Sequence, residues 1–187
     1  MPSSYLKWAQ DFDDDGRKDI WTSGPDVFAS IAFFLQQHGW QEGARWGREV
    51  KIPPAALNGV GDIPRREDGC RAFRAMTNAQ PLKDWRTRGL RTTSGATLPS
   101  ADITASLVMA GKRSFLLYDN YDALLGYNCA HTYALSVSLL SDAIEGIEPL
   151  PTVSSRPPKK APAKLKSKSK GRSSASKRRT SKPRKSR

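Results

Sequence analysis

The chain has 187 residues and a formal net charge of +13 that is unevenly distributed. Residues 151–187 contain 15 of the 31 Lys and Arg residues and no Asp or Glu, so residues 1–150 carry 16 basic against 18 acidic residues. No apolar run is long enough for a membrane-spanning helix, and residues 1–10 lack the apolar core of a signal peptide. We therefore expect one nearly neutral domain over residues 1–150, a basic tail over residues 151–187, and no signal peptide.

An acidic loop after the first ten residues has the spacing of a calcium-binding loop of the EF-hand kind. Calcium prefers six to eight oxygen ligands, and glycine at the sixth loop position (Gly16) allows the sharp turn that such a loop needs. Thr22 stands where a bidentate Glu is usual, so we predict a longer loop closed by an acid further on. The candidate ligands are Asp11, Asp13, Asp15, the Arg17 carbonyl, Asp19 and Asp26. The alternative is a solvated acidic turn without a metal.

A helix is predicted directly after this loop. Ser23 is a typical N-cap, Pro25 suits the first turn, and Gly39 ends the pattern after His38. Apolar residues repeat at helical spacing in between, at Val27, Phe28, Ile31, Ala32 and Leu35.

The middle of the chain has a weaker pattern, which predicts a small, irregular β insert. We expect a strand at residues 48–52, a short helix at 82–88 with Trp85 pointing inward, and a buried strand at 114–118. Cys70 and Cys129 lack CxxC spacing, so we expect free cysteines, although a disulfide stays open in an oxidising compartment.

Two helices are predicted to close the domain, a short one from residue 119 and a longer one that ends near Gly146. The longer helix repeats apolar residues at helical spacing, and we expect this face to point inward. Its members are Tyr133, Ala134, Val137, Leu140 and Ile144.

The basic tail has no aromatic residue and cannot bury enough apolar surface to fold, so we predict disorder. Its charge suits a polyanion such as nucleic acid, an anionic membrane surface or an acidic cell-wall polymer. Without aromatic side chains it gives no sign of base recognition. A solubilising extension without a fixed partner is the alternative.

Several segments, taken in order, resemble the lytic murein transglycosylase B family over about residues 1–147. They are residues 1–5 (Met-Pro-Ser-Ser-Tyr), the acidic loop at 13–21, residues 46–50 (Trp-Gly-Arg-Glu-Val) and residues 127–137 (Tyr-Asn-Cys-Ala-His-Thr-Tyr-Ala-Leu-Ser-Val). The resemblance implies an α+β, mostly α fold: part of a lysozyme-like helical domain with the EF-hand-like loop and the small β insert.

The resemblance also implies a function in the bacterial cell wall. Enzymes of this family cleave the bond between N-acetylmuramic acid and N-acetylglucosamine in peptidoglycan and leave 1,6-anhydromuramic ends. One Glu acts first as acid and then as base, whereas ordinary glycosidases use two carboxylates. Peptidoglycan strands are then the expected partner, and the periplasm or cell envelope the expected location.

The family's catalytic Glu precedes the Met-Pro-Ser stretch, and no Glu of this sequence matches it. We therefore expect a truncated chain without a catalytic residue, for which a separately encoded N-terminal half is a candidate partner. By the resemblance, Tyr127, Asn128 and Tyr133 line the glycan cleft, with Ser3 at its edge. The alternative is that Tyr127 and Tyr133 are core aromatics at helical spacing.

Three functions stay open from the sequence. The chain is a lytic transglycosylase by family, a non-catalytic module that binds glycan and calcium, or a nucleic-acid-associated protein acting through its tail. Because the family's upstream helices would cover the apolar face of the helix at 25–38, we also expect an exposed apolar surface there.

Overall fold

The computed structural model describes residues 2–146, so the predictions on the basic tail lie outside the described residues. The α-helices of this part are Pro2–Trp8 (α1), Gly24–Gln37 (α2), Leu57–Gly61 (α3), Arg71–Arg74 (α4), Leu82–Thr87 (α5), Asp119–Tyr127 (α6) and His131–Ile144 (α7). A short 3-10 helix, Pro54–Ala56, precedes α3. None of these helices is long and apolar enough to cross a membrane.

One antiparallel sheet connects the two helical segments of the chain. Its strands are Gly47–Lys51 (β1), Gln80–Pro81 (β2), Arg91–Thr92 (β3), Thr104–Ala110 (β4) and Arg113–Leu117 (β5). Their spatial order is β2-β4-β5-β1-β3, so β5 lies in the middle, between β4 and β1. Phe115 of β5 pairs with Glu49 on one side and Val108 on the other.

Successive side chains of a strand point to opposite sides of the sheet. Both faces of this sheet are buried, each in a core of its own. Leu107 and Leu116 belong to a core that includes Trp85 and Leu82 of α5. Val108 and Phe115 belong to a second core, formed with α4, α6 and α7. This arrangement confirms the predicted α+β class, but the sheet is a central layer with helices on both sides and not a small insert.

Local patterns predicted several elements well. Helix α2 begins after Ser23, whose hydroxyl accepts the N–H of Asp26, and His38 follows its last residue. Trp85 is fully buried, as expected. The expected exposure of α2 is also confirmed, since Phe28 is 73% and Ile31 40% exposed.

The predicted inward face of α7 is wrong. Val137, Leu140 and Ile144 are exposed, and Ala134 is the buried member of that set. The helix instead buries a neighbouring face, formed by Ala134, Leu135, Ser138 and Asp142. Asp142 accepts hydrogen bonds from Trp46 Nε1 (3.0 Å) and Arg45 Nη2 (3.2 Å), so this buried carboxylate has its partners only when this face of the helix points inward.

The expectation of free cysteines is also wrong. Cys70 and Cys129 form a disulfide whose Cα atoms are 6.3 Å apart, and the bond closes a sequence separation of 59 residues. It links the N-terminus of α4 to the short connection between α6 and α7. The local spacing of the cysteines could not show this contact.

Candidate functional site

The acidic loop brings together part of the predicted calcium ligand set. Carboxylate oxygens of Asp11, Asp13 and Asp26 lie within 4.8 Å of one another. Asp11 Oδ1 is buried and accepts no hydrogen bond among the described residues, so it keeps its acceptor capacity for another partner. Three carboxylates this close repel one another unless a cation or protons neutralise them.

Asp26 closes this loop, in the position that the sequence indicated. Its side chain is 1% exposed, although it stands at the exposed start of α2. Its Oδ1 accepts the N–H of Phe12 and its Oδ2 accepts the N–H of Asp19, both at 2.8 Å. Asp26 therefore joins the two ends of the loop and also borders the carboxylate cluster.

Other predicted ligands lie outside the cluster. Asp15 Oδ1 accepts the N–H of Arg17 at 2.8 Å, and both residues are exposed. Asp19 accepts the N–H groups of Trp21 and Thr22, each at 2.9 Å, and also the Thr22 hydroxyl. These bonds, first that of the Thr22 hydroxyl, lower the pKa of Asp19. The charge of Asp19 is thus satisfied by its own turn.

The donor set of the cluster fits a hard cation. Carboxylate oxygens are the ligands that calcium prefers, and the positive φ of Gly16 (84°) provides the turn after Asp15. The pKa of Asp13 is raised, first by desolvation and then by the nearby charges of Asp15, Asp26 and Asp11 against the Asp15 N–H. A bound cation would favour the charged form of these carboxylates. Asp11, Asp13 and Asp26 are the residues that would hold it.

A row of aromatic side chains runs between α1, α2, α6 and α7. Trp8 meets Phe34 edge to face at 5.9 Å, and Phe34 stacks on His38 at 3.8 Å between ring centroids. Phe34 also meets Tyr127 at 5.4 Å, and Tyr127 stacks on Tyr133 at 5.9 Å. We call these five residues the aromatic row. Tyr127 is 51% exposed, so this ring is not a core aromatic.

Asn128 and Ser3 are the remaining predicted glycan residues, and both are exposed. Asn128 directly follows Tyr127 and is exposed. Its backbone N–H donates to the Leu124 carbonyl, and its side-chain amide has no hydrogen-bond partner among the described residues. Cys129 is the next residue, so the disulfide anchors this connection. Ser3 is exposed on α1, in the helix that also carries Trp8.

Sequence reasoning missed part of the aromatic row. Trp8, Phe34 and His38 were not predicted as site residues. Phe34 and His38 are four residues apart, about one helical turn, at the C-terminal end of α2, and this spacing is the signal that could have indicated their stacking. The position of Trp8 was not visible, because α1 itself was not predicted.

No Glu among residues 2–146 is buried. Glu49 is half-buried, and Arg113 holds both of its oxygens at 2.8 and 2.6 Å. Glu42, Glu67 and Glu145 are exposed. A carboxylic acid that serves as a general acid is usually desolvated, and none of these side chains is buried.

The comparison with known families identifies the class of protein. The family model described as "Transglycosylase SLT domain" matches residues 1–142. The chain therefore belongs to the transglycosylase SLT domain family, and the resemblance to lytic murein transglycosylases seen in the sequence is confirmed.

Individual relatives agree with this assignment. Membrane-bound lytic murein transglycosylase B of Escherichia coli (strain K12) is 26% identical over 152 residues, covering 77% of this chain and 36% of the relative. SltB3 of Pseudomonas aeruginosa, solved in complex with NAG-anhNAM-pentapeptide, is 33% identical with a TM-score of 0.64, covering 78% of this chain and 36% of that chain.

A second solved structure supports the fold alone. The Escherichia coli lytic transglycosylase Slt35, solved in complex with calcium, is 22% identical with a TM-score of 0.57, covering 78% of this chain and 42% of that chain. The chain thus spans little more than a third of the length of the curated relative and of SltB3.

Proposed function

We propose that this protein is directed to peptidoglycan and that residues 2–146 supply the glycan-binding part of a lytic-transglycosylase-type site. The observation that carries this proposal is the aromatic row, which includes the exposed ring of Tyr127 next to the exposed residue Asn128. A flat apolar ring packs against a sugar ring, and an amide both donates to and accepts from hydroxyl and acetamido groups.

The relatives support the same ligand class. SltB3 has been solved with NAG-anhNAM-pentapeptide and with NAG-NAM-pentapeptide, at 33% and 36% identity to this chain. By this likeness, the reaction assigned to the site is cleavage between N-acetylmuramic acid and N-acetylglucosamine with formation of an anhydro end. Because no Glu of the described part is buried, we expect this chain by itself to bind glycan without cutting it.

The proposed location is the periplasm or cell envelope. The relative from Escherichia coli is named as membrane-bound, and murein is its named substrate. The disulfide is an independent argument, because such bonds persist in oxidising compartments and are rare in the cytosol. The basic residues 151–187 would add electrostatic attraction to an anionic polymer or membrane surface.

Incubation of the 187-residue chain with purified peptidoglycan tests the function. Cosedimentation measures binding, and mass spectrometry of the soluble products measures cutting. We expect cosedimentation without anhydro-muropeptides. Anhydro products would show that another residue supplies the acid and base, while absence of binding would contradict the proposal itself.

Two aromatic variants locate the binding. Tyr127→Ala should weaken glycan binding about tenfold, the effect of losing about 1.4 kcal/mol at an exposed contact aromatic. Trp21→Ala is the matched control, because Trp21 is 74% exposed and lies outside the aromatic row. Equal loss in both variants would contradict a site at Tyr127.

Calcium is the proposed structural cofactor of the acidic loop. A cation that binds only the folded state stabilises it, by about 2.7 kcal/mol at a concentration of one hundred times Kd. Thermal melts with calcium, with magnesium and with chelator measure this effect. Asp11→Asn and Asp13→Asn should remove most of the calcium response.

Asp14→Asn is the control for the calcium variants. Asp14 is exposed, lies outside the carboxylate cluster and has a positive φ of 58°, which Asn also tolerates. It should keep the calcium response. A melt that calcium does not change, or one that Asp14→Asn changes as strongly as Asp13→Asn, would indicate a solvated acidic turn.

A further inference from the structure

A pocket lies at the other end of α6 from the aromatic row. It is a pocket of about 240 Å³ between the loop before β1, β1 itself and the start of α6. Arg45, Arg48 and Asp119 are its charged residues, Tyr118 is one of its polar residues, and Ala44 and Ile103 are apolar residues of its wall. No function assigned so far uses these residues.

Arg48 is the unusual member of this pocket. It is half-buried on β1, and its Nε donates to Tyr118 Oη at 2.6 Å. It forms no ion pair with any carboxylate of residues 2–146. A partly buried cation is normally neutralised, because water stabilises it less than in bulk. The terminal nitrogens of its guanidinium therefore have unused donors suited to an anion.

Arg45 brings a second guanidinium to the same place. Its Nη2 reaches Asp142 at 3.2 Å, but its Nε is buried and donates no hydrogen bond among the described residues. Burial raises the pKa of Tyr118, and the charges of Arg48 and Arg45 both oppose that rise. The Tyr118 phenol therefore lies close enough to both guanidinium groups for their charges to affect its pKa. A buried donor without an acceptor is costly, and a bound anion would remove that cost.

The acidic group of the pocket restricts which anion fits. Asp119 is exposed, lines the pocket and forms no ion pair with the described residues. A phosphate or sulfate dianion would be repelled by this carboxylate. A ligand with one carboxylate and a nearby ammonium satisfies the arginines and Asp119 together. A volume near 240 Å³ suits a group of amino-acid size.

We propose that this pocket binds an amino-acid headgroup, with Arg48 and Arg45 on its carboxylate and Asp119 on its ammonium. Asp119 and Tyr127 are eight residues apart on α6, so the pocket and the aromatic row are separated by about 12 Å along the helix. About four extended residues span that distance. A short peptide attached to a glycan at the aromatic row can therefore reach the pocket. The identification of such a peptide as the ligand rests on the proposed function, whereas the chemistry of the pocket does not.

Nuclear magnetic resonance on the isotope-labelled 187-residue chain tests the pocket directly. The probes are dialanine, acetate, methylammonium and inorganic phosphate, each titrated separately. We expect dialanine to shift the amide signals of residues 41–48 and 118–120 and to bind more tightly than acetate or phosphate. Shifts elsewhere only, no binding of dialanine, or equal affinity for dialanine and phosphate would each overturn the proposal.

Substitutions assign the roles of the charged groups. Arg48→Gln should weaken dialanine binding about tenfold or more, since hydrogen bonds to a charged group are lost. Arg48→Lys should also weaken it, because a lysine cannot replace the two-point contact of a guanidinium. Arg74→Gln, an exposed arginine on α4 outside the pocket, should leave it unchanged.

Asp119→Asn provides a second test in case an Arg48 variant fails to fold. Asp119 is exposed, so this substitution should leave the fold intact. It should weaken dialanine binding and leave acetate binding equal or tighter. Tyr127→Ala should not change dialanine affinity. Dialanine binding without glycan binding would exclude peptidoglycan as the source of the peptide and leave the pocket standing; native affinity in both Arg48→Gln and Asp119→Asn would exclude the pocket.

Discussion

The sheet and the α1–α2 helical segment bury their apolar residues very differently. Strands β4 and β5 contribute buried side chains to cores on both faces of the sheet. Helix α2 has 14 residues, yet Asp26 is the buried one among them. The acidic loop and three members of the aromatic row (Trp8, Phe34 and His38) belong to this thinly packed segment. The difference indicates that the sheet supplies most of the stability, while the helical face keeps apolar surface available for a ligand.

The largest expected effect tests this division directly. Trp85→Ala removes a fully buried ring and its hydrogen bond from Nε1 to the Ala105 carbonyl (3.0 Å), and should lower the free energy of unfolding by about 3–5 kcal/mol. Phe28→Ala, at a ring that is 73% exposed on α2, should change it by no more than about 0.5 kcal/mol. Urea denaturation of both variants measures the contrast. Equal losses would mean that α2 is covered in solution.

The disulfide should give the next largest effect. It closes 59 residues, and a cross-link of this span restricts the unfolded chain, with a typical stabilisation of about 2–4 kcal/mol. Urea denaturation with and without reductant measures it. The double variant Cys70→Ser, Cys129→Ser should match the reduced protein and show no response to reductant. A reductant effect that persists in the double variant would have another cause.

Two leucines of α7 compare its buried and exposed sides. Leu135→Ala should cost about 2–3 kcal/mol, because this side chain is buried in the core shared with α6. Leu140→Ala, at 51% exposure, should cost about 0.5 kcal/mol or less. Chemical denaturation measures both. A larger loss of stability in Leu140→Ala than in Leu135→Ala would support the inward face that the sequence predicted.

That error on α7 shows where sequence patterns stop being informative. Helix α2 was predictable because Ser23 and Pro25 are local signals that act within one turn. The rotation of α7 depends on Asp142, which contacts Trp46 from 96 residues away. A helical period cannot choose between two adjacent apolar stripes when the deciding contact is a buried carboxylate.

The sheet and the candidate sites also include features that local sequence predicts and features that depend on distant contacts. The sequence of strand β4 does not alternate along its length between apolar and polar residues, which is the pattern of a half-buried strand. Both faces of the strand are covered, so the four successive residues 105–108 are all buried. Local spacing predicted a calcium-binding loop, and the structure brings Asp11, Asp13 and Asp26 of its candidate ligands together. Oxygens of the other two predicted carboxylates, Asp15 and Asp19, accept hydrogen bonds from their own turns. The disulfide needed the fold.

The smallest expected effect concerns pH and His131, the first residue of α7. Burial lowers its pKa below the ordinary value near 6.5, and the Ala72 backbone acts in the opposite direction. Tyr121 Oη lies 3.0 Å from its Nδ1. Above pH 6.5 the folded and unfolded states both hold a neutral ring, so the group adds no pH dependence. As the pH falls below 6.5, the unfolded state takes up the proton first, and the stability of the fold decreases.

His131→Gln should remove this part of the decrease between pH 7 and pH 5, and the measurement is the free energy of unfolding across that range. His38→Gln is the comparison, because His38 is exposed and stands at the end of α2 in the thinly packed segment. A native pH profile in His131→Gln would show that the ring is hydrated in solution. If His38→Gln alone changed the pH dependence of the free energy of unfolding, the pH-sensitive group would be His38 in the aromatic row and not His131.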